Sequence, residues 1–288
     1  MYTKSTKTVL ITGCSAGGIG DALAQAFHRH GHRVFATARN EAKMDHLKEL
    51  GIVTVQLDVT DPTSLKKTVE SVDAATEGKL DILVNNAGII YSMPLLDSDV
   101  EETRKLFEVN VFAALNTVKV FCPLLISAKG SIINISSVAE RVPVPYLGIY
   151  CMSKAALSMM SDTLRIELAP FDVTVINVVT GSVVSRGYDN QSLKLLPTGS
   201  YYSTAKGKIE AVMNDPLPQQ QRASTEKFAE SVVSNALKKN PTTRYWRGGG
   251  ATMVWAVTTF LWYGIWGLFV SGIYGLNDVK RAWRTRAS

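Results

Sequence analysis

Short apolar bursts recur along the first 180 residues, with polar, helix-patterned stretches between them. The bursts are TVLIT (8–12), RVFATA (33–38), VTVQL (53–57), LDILVN (80–85), SIINIS (131–136) and VTVINVV (173–179). Val, Ile and Leu follow one another almost without interruption, where a half-buried strand would alternate apolar with polar. Each burst therefore predicts a strand covered on both faces of a parallel sheet. Between them DALAQAFHRH, PTSLKKTVESVDAA and KAALSMMSDTLRIEL carry apolar residues at helical spacing. Strand and helix in turn predict an α/β fold, a doubly wound parallel sheet of Rossmann type.

The pattern changes at the C-terminus. No charged residue occurs from Gly248 to Asn277. The run 251–276, as one helix, would extend about 39 Å, more than the roughly 30 Å of hydrocarbon in a bilayer. Lys238, Lys239, Arg244 and Arg247 flank it on one side and Lys280, Arg281, Arg284 and Arg286 on the other, and all five tryptophans follow position 245. Basic flanks and indole rings suit an interfacial anchor. A C-terminal helix buried in the body or in a dimer is the alternative, and Gly264, Gly267, Gly272 and Gly275 make a hairpin in one leaflet as plausible as a span. The expected organisation is a catalytic domain over 1–247 and an apolar, membrane-associating segment with a basic tail over 248–288.

Charge follows the same division. The chain of 288 residues carries a net +6, but residues 238–288 hold eight Lys or Arg against Asp278 alone, which leaves 23 basic against 24 acidic residues in the body. A body without basic excess argues against nucleic acid as a partner. Cys14, Cys122 and Cys151 have neither disulfide nor metal spacing, so no metal is expected and a reducing compartment fits. The N-terminus has no apolar core or cleavage site and predicts no secretory signal.

The stretch TGCSAGGIG, after the first strand, fits two chemistries. Its GCSAG (13–17) matches the nucleophile elbow of a serine hydrolase on Ser15. It also matches a glycine loop that seats a pyrophosphate on a helix start, through Gly13, Ser15, Gly17, Gly18, Ile19 and Gly20. A hydrolase needs a histidine far downstream, and this chain has none after His46, with His28, His30 and His32 before it. The nucleotide reading is preferred. No acid stands in 31–40, where an NAD site holds the ribose hydroxyl, and Arg39 takes that place. This predicts NADP(H), with Arg39 and either Ser15 or Arg33 at the 2′-phosphate.

YCMSK sets Tyr150 and Lys154 one helical turn apart. Alone this pair means little. In order with TGCSAGGIG, NNAG (85–88), the Asn110 of FEVNVF and the Ser137 of NISSV, it resembles the short-chain dehydrogenase/reductase family over about residues 8–184. The resemblance implies an oxidoreductase with Ser137, Tyr150, Lys154 and Asn110 as its catalytic tetrad. It implies cofactor contacts at Asp58, Val59, Asn86, Ala87, Gly88, Asn110, Tyr150, Lys154 and Val183 besides the glycine loop and Arg39. Tyr150 would protonate a carbonyl oxygen, with the Lys154 ammonium favouring its phenolate.

Three positions depart from the family pattern: one extra residue in the glycine loop, Thr180-Gly181 for Pro-Gly, and Glu140 for a common glycine. More narrowly, TGCSAGGIG, VTGSV, PTTRYWRGG and the apolar end are similar to fungal NADPH-dependent 1-acyldihydroxyacetone-phosphate reductases. That resemblance implies reduction of a lipid ketone at the endoplasmic reticulum membrane or lipid droplet, with the catalytic domain facing the cytosol. Reduction of a steroid, retinoid or fungal secondary metabolite is the alternative, and a lipase on Ser15 the third. Arg186, Tyr188, Lys194, Tyr201, Tyr202 and Met213 are the candidates to meet the substrate, and a homo-oligomer is compatible with the sequence.

Overall fold

The computed structural model describes residues 6–185, 193–215, 222–262 and 264–286. The six apolar bursts form β1 (Thr8–Thr12), β2 (Arg33–Ala38), β3 (Val53–Gln56), β4 (Ile82–Asn85), β5 (Ser131–Ile135) and β6 (Thr174–Thr180). A seventh strand, β7 (Arg244–Arg247), joins the edge of β6. All pairings are parallel, in the order β3-β2-β1-β4-β5-β6-β7. The strand sequence runs outward in both directions from β1 and β4. Their carboxyl ends thus flank the crevice where such sheets bind ligands.

The helices are α1 (Ile19–Arg29), α2 (Asp45–Glu49), α3 (Pro62–Thr76), α4 (Val100–Phe107), α5 (Ala113–Ala128), α6 (Gly148–Glu167), α7 (Lys206–Asn214) and α8 (Thr225–Ala236). On one sheet face α1 and α8 bury Leu23, Phe27, Phe228 and Val232 against Val9, Ile11 and Ile176. On the other α3 and α5 bury Val72, Val118, Phe121 and Leu125 against Leu10, Leu83 and Val175. Both faces of each inner strand are covered, which is why the strands read as continuous apolar runs rather than alternating ones.

The C-terminal run does not form one helix. It divides into α9 (Ala251–Phe260), α10 (Ile265–Ile273) and α11 (Leu276–Arg286), with breaks around Gly264 and at Gly275, which takes φ +76°. One side of this segment packs on the body: Val254 and Trp266 bury against Val142, and the Tyr146 hydroxyl donates to the Tyr274 carbonyl at 2.7 Å. Among the described residues, the helical run long and apolar enough to cross a bilayer is Val100–Ala128. That run supplies Phe121 and Leu125 to the core.

Candidate active site

Every strand end on the crevice contributes to one site. After β1 the chain turns at Gly13 and Gly17, at φ +76° and +75°, conformations that glycine adopts without a Cβ penalty. The Gly17 amide is engaged by Asp21 Oδ2 at 2.7 Å, and Gly18 becomes the N-cap of α1 with no side chain capping it. The free N–H groups of the first helical turn, from Ile19 and Gly20 onward, are therefore the donors for an anion. The extra residue in the loop is absorbed before Gly18, so the helix start keeps its position.

The loop fits a diphosphate because backbone passes close to backbone. A Cβ on Gly20 would lie 2.4 Å from the Gly13 carbonyl oxygen and 2.5 Å from Asn86 Nδ2, and one on Gly13 would lie 2.9 Å from Ala87 Cα. Asn86 fastens this approach, its Nδ2 donating to the Thr12 and Gly13 carbonyls at 2.8 and 3.0 Å. The Thr12 hydroxyl in turn accepts from the Asn86 and Ala87 amides. Asn86 and Ala87 thus shape the crevice by tying β4 to β1.

Arg39 follows β2 on the crevice side and is exposed. Although desolvation acts the other way, hydrogen bonds from Thr60 and the Arg39 charge hold the Asp58 carboxyl below its usual range. Arg39 and Asp58 therefore lie close enough to frame a ribose and its phosphate together. Arg33 does not join them. It begins β2, roughly 20 Å from Arg39 along an extended strand, and its guanidinium donates to the Ala75 carbonyl at 2.6 Å. Val59 is buried behind Asp58 against Leu57 and Leu65, and Val183 is buried beyond β6, bridged to Ala223.

Between α4 and α5 the helix widens into a π turn, Glu108–Phe112, and Asn110 lies in it. Such turns redirect a side chain that a regular helix would aim elsewhere. Asn110 accepts from the Ile89 amide at 2.8 Å and donates to the Ile89 carbonyl at 2.9 Å and to Ser153 Oγ at 3.2 Å. It clamps the strand after Gly88 to α6. A Cβ on Gly88 would lie 3.3 Å from Asn110 Oδ1 and 3.9 Å from Lys154 Nζ, so the glycine leaves the amine open to the crevice.

Ser137, Tyr150 and Lys154 come together as the sequence expects. Ser137 caps a short turn after β5, its Oγ accepting from the Ala139 amide at 3.2 Å, and its side chain acts on the Tyr150 phenol to favour ionisation. Lys154 is buried, donates to the Ile135 carbonyl at 2.9 Å, and lies 5.6 Å from the Tyr150 ring centre. Burial dominates both groups. It raises the Tyr150 phenol to about 12 despite the Ser137 side chain, and lowers the Lys154 ammonium to about 8 despite the opposing Glu140 charge. Burial therefore outweighs the neighbouring groups at both residues, because removal from water penalises both charges.

Beside Tyr150 an apolar cluster closes the crevice: Tyr91, Met93, Tyr146, Ile149 and Met213 are buried, and Tyr202, Tyr274 and Leu276 pack on them. Tyr146 holds φ +66°, a strained backbone for a large residue. Its carbonyl accepts from the Met93 amide and its ring meets Tyr202 and Tyr274 edge-on. Of the substrate candidates, Met213 and Tyr202 belong to this wall. Tyr201 points outward at 66% exposure, and Lys194 lies over the Tyr91 ring. Arg186 and Tyr188 fall outside the described residues. Sequence reasoning missed Tyr274, Tyr146 and Glu140, whose roles depend on segments distant along the chain.

Comparison with known proteins agrees with this arrangement. The short chain dehydrogenase family model matches residues 7–196. The short-chain dehydrogenase virD of Hypocrea virens is 39% identical over 282 residues, covering 98% of this chain and 97% of that protein. The NADPH-dependent 1-acyldihydroxyacetone phosphate reductase of Schizosaccharomyces pombe is 40% identical over 233 residues, covering 80% and 78%. A crystal structure of a short-chain dehydrogenase from Streptomyces avermitilis superimposes with TM-score 0.78 at 26% identity, covering 99% of both chains. With strand order, glycine loop and the Ser137–Tyr150–Lys154 cluster on one crevice, this chain belongs to the short-chain dehydrogenase/reductase family, oxidoreductases acting on CH–OH and C=O groups.

Proposed function

We propose that the protein is an NADP(H)-dependent reductase that converts a ketone on a lipid substrate to an alcohol, with 1-acyldihydroxyacetone phosphate as the favoured substrate and 1-acylglycerol 3-phosphate as the product. The observation that carries the chemistry is the convergence of Ser137, Tyr150 and Lys154: the Ser137 side chain favours ionisation of the Tyr150 phenol, and Lys154 Nζ lies over the Tyr150 ring, 5.6 Å from its centre. NADPH, when bound, supplies hydride to the carbonyl carbon. Tyr150 donates its proton to the carbonyl oxygen, and Ser137 hydrogen-bonds the same oxygen as negative charge grows there. Lys154 holds its positive charge beside the phenol, and Asn110 ties the chain after Gly88 to the helix that carries both. Arg39, exposed and basic, supports the preference for the 2′-phosphate.

The lipid assignment rests on the Schizosaccharomyces pombe relative and on the C-terminal segment. Phe260 and Trp262 are each 72% exposed, and Met253, Leu261 and Ile273 of the same segment are exposed too. Exposed aromatic and aliphatic side chains followed by Lys280, Arg281 and Arg284 suit a lipid surface. This supports residence on the cytosolic side of the endoplasmic reticulum or a lipid droplet. A second reading is reduction of a steroid, retinoid or fungal secondary metabolite, since the Hypocrea virens short-chain dehydrogenase covers 98% of this chain against 80% for the Schizosaccharomyces pombe reductase.

The test is NADPH consumption by purified protein with acyl-dihydroxyacetone phosphate, a steroid ketone and retinal. Turnover of the first with at least tenfold preference for NADPH, on the order of one charge-assisted contact, is the expected result. Equal efficiency with NADH overturns the cofactor assignment. Ester hydrolysis abolished by Ser15→Ala, with no carbonyl reduced, replaces it with a hydrolase.

A further inference from the structure

Behind the candidate site lies a carboxylate that the proposed reaction does not use. Glu140 ends the turn that starts at Ser137, and its side chain is 0% exposed. A buried carboxylate is costly unless its lone pairs are filled. Here they are filled from four places. Ser136 Oγ donates at 2.7 Å and Asn177 Nδ2 at 3.0 Å to one oxygen; Ser158 Oγ donates at 2.9 Å and Arg244 Nη1 at 3.4 Å to the other. The donors come from the turn itself, β6, α6 and β7, so one side chain joins the elements around Tyr150.

The charges around it are few. From β7 Arg244 faces Glu140 and also pairs with Asp162 of α6, which holds Arg165 at 2.7 Å. From β6 the neutral Asn177 donates to Glu140. From α6 come Lys154 and Tyr150, with Ser158 one turn beyond Lys154. Asp162 is matched by its two arginines, and Glu140 is the charge that opposes the effect of burial on Lys154.

We propose that Glu140 is a positioning residue for the reduction, bracing the Ser136–Ser137 turn from behind and supplying the negative charge that keeps the buried Lys154 ammonium charged. The proposal rests on the reading of Tyr150 and Lys154 given above. It also explains why a glycine would not serve at this position: the turn would lose both its anchor to β6 and β7 and the acid whose charge acts on the amine.

Glu140→Gln keeps the shape and removes the charge. Carbon NMR of lysine-labelled, cofactor-free protein reads the Lys154 titration directly, with the resonance assigned by Lys154→Met. Its midpoint is expected to fall by about one pH unit in Glu140→Gln, the scale of a nearby opposite charge. The alkaline limb of kcat/KM is expected to fall with it. Ser158→Ala removes a hydrogen bond from the same carboxylate without touching its charge, and should lower thermal stability with the Lys154 midpoint unmoved. An unmoved midpoint in Glu140→Gln, or an equal shift in Ser158→Ala, overturns the proposal. Should Glu140→Gln not fold, Arg244→Gln carries the test: it unmasks the carboxylate, so the midpoint must rise, and a constant or lower value overturns the idea. Absence of carbonyl reduction by the unaltered enzyme would sink the reductase reading while leaving the Lys154 titration interpretable.

Discussion

Burial dominates both Tyr150 and Lys154, and the Ser137 side chain and the Glu140 charge oppose it only in part. A phenol raised to about 12 stays protonated at neutral pH, which suits a group that must give a proton to a carbonyl oxygen. The amine lowered to about 8 is charged below that pH and neutral above it, well before a free lysine would lose its proton. Reduction is therefore expected to be level in the neutral range and to decline as pH rises through about 8, measured as kcat/KM against pH. Tyr150→Phe removes the donor and should lower kcat by about 10²–10⁴, the range of a general acid, while the NADPH dissociation constant changes little. Arg39→Ala should weaken NADPH by about tenfold or more and leave NADH nearly unaffected, since a charge-assisted contact contributes about 1.5–3 kcal/mol. Comparing the two cofactors' KM values checks it.

At the scale of elements, the start of α1 and the π turn do most to set the site. The helix can approach β1 and Asn86 only because Gly20 has no side chain. Gly20→Ala would press a methyl carbon to 2.4 Å from the Gly13 carbonyl, a backbone atom that cannot swing aside. The expected cost is about 1–3 kcal/mol of stability, seen as a lower thermal midpoint together with weaker NADPH binding by fluorescence titration. Gly18→Ala meets its nearest atom at 3.0 Å and has no left-handed φ, so its effect should be smaller. The π turn has a different logic. It turns Asn110 toward Ile89 and Ser153, linking the chain after β4 to the helix that carries Tyr150 and Lys154.

For the molecule as a whole, the C-terminal segment has two faces. Inward, Val254, Trp266 and Tyr274 pack on Val142 and Tyr146, and Lys208 pairs with Asp278 at 3.1 Å. Outward, Phe260, Leu261 and Trp262 meet solvent. A chain ending at residue 250 would uncover Tyr146 and the wall beside Tyr150 and remove the exposed Phe260, Leu261 and Trp262. It should melt lower, by about 2–4 °C for each kcal/mol lost, and show a higher KM for an amphiphilic ketone. It should also fail to float with anionic vesicles that carry the full-length protein upward. Equal flotation of the two proteins would remove the lipid-surface role from this segment.

The sequence by itself determined the strands β1 to β6 and the place of the glycine loop, and the family resemblance of its motifs implied that Ser137, Tyr150 and Lys154 meet. The strands rest on a local pattern of apolar runs, and the Tyr–Lys pair on a single helical turn. Tertiary structure decided the rest. RYWR became β7 only by pairing with β6, because two residues between arginines carry no strand signal of their own. The register of Gly17 followed from the reach of Asp21, and the separation of Arg33 from Arg39 from the length of a strand. For the apolar end the sequence leaves open a span, a hairpin and a helix packed on the body; the three short helices pack against Val142 and Tyr146, contacts more than a hundred residues away along the chain. Glu140 acquires its partners across the same distances, with Arg244 104 positions on. Local periodicity can announce an element, but burial of a charge and the partners that permit it exist only once distant segments are packed together.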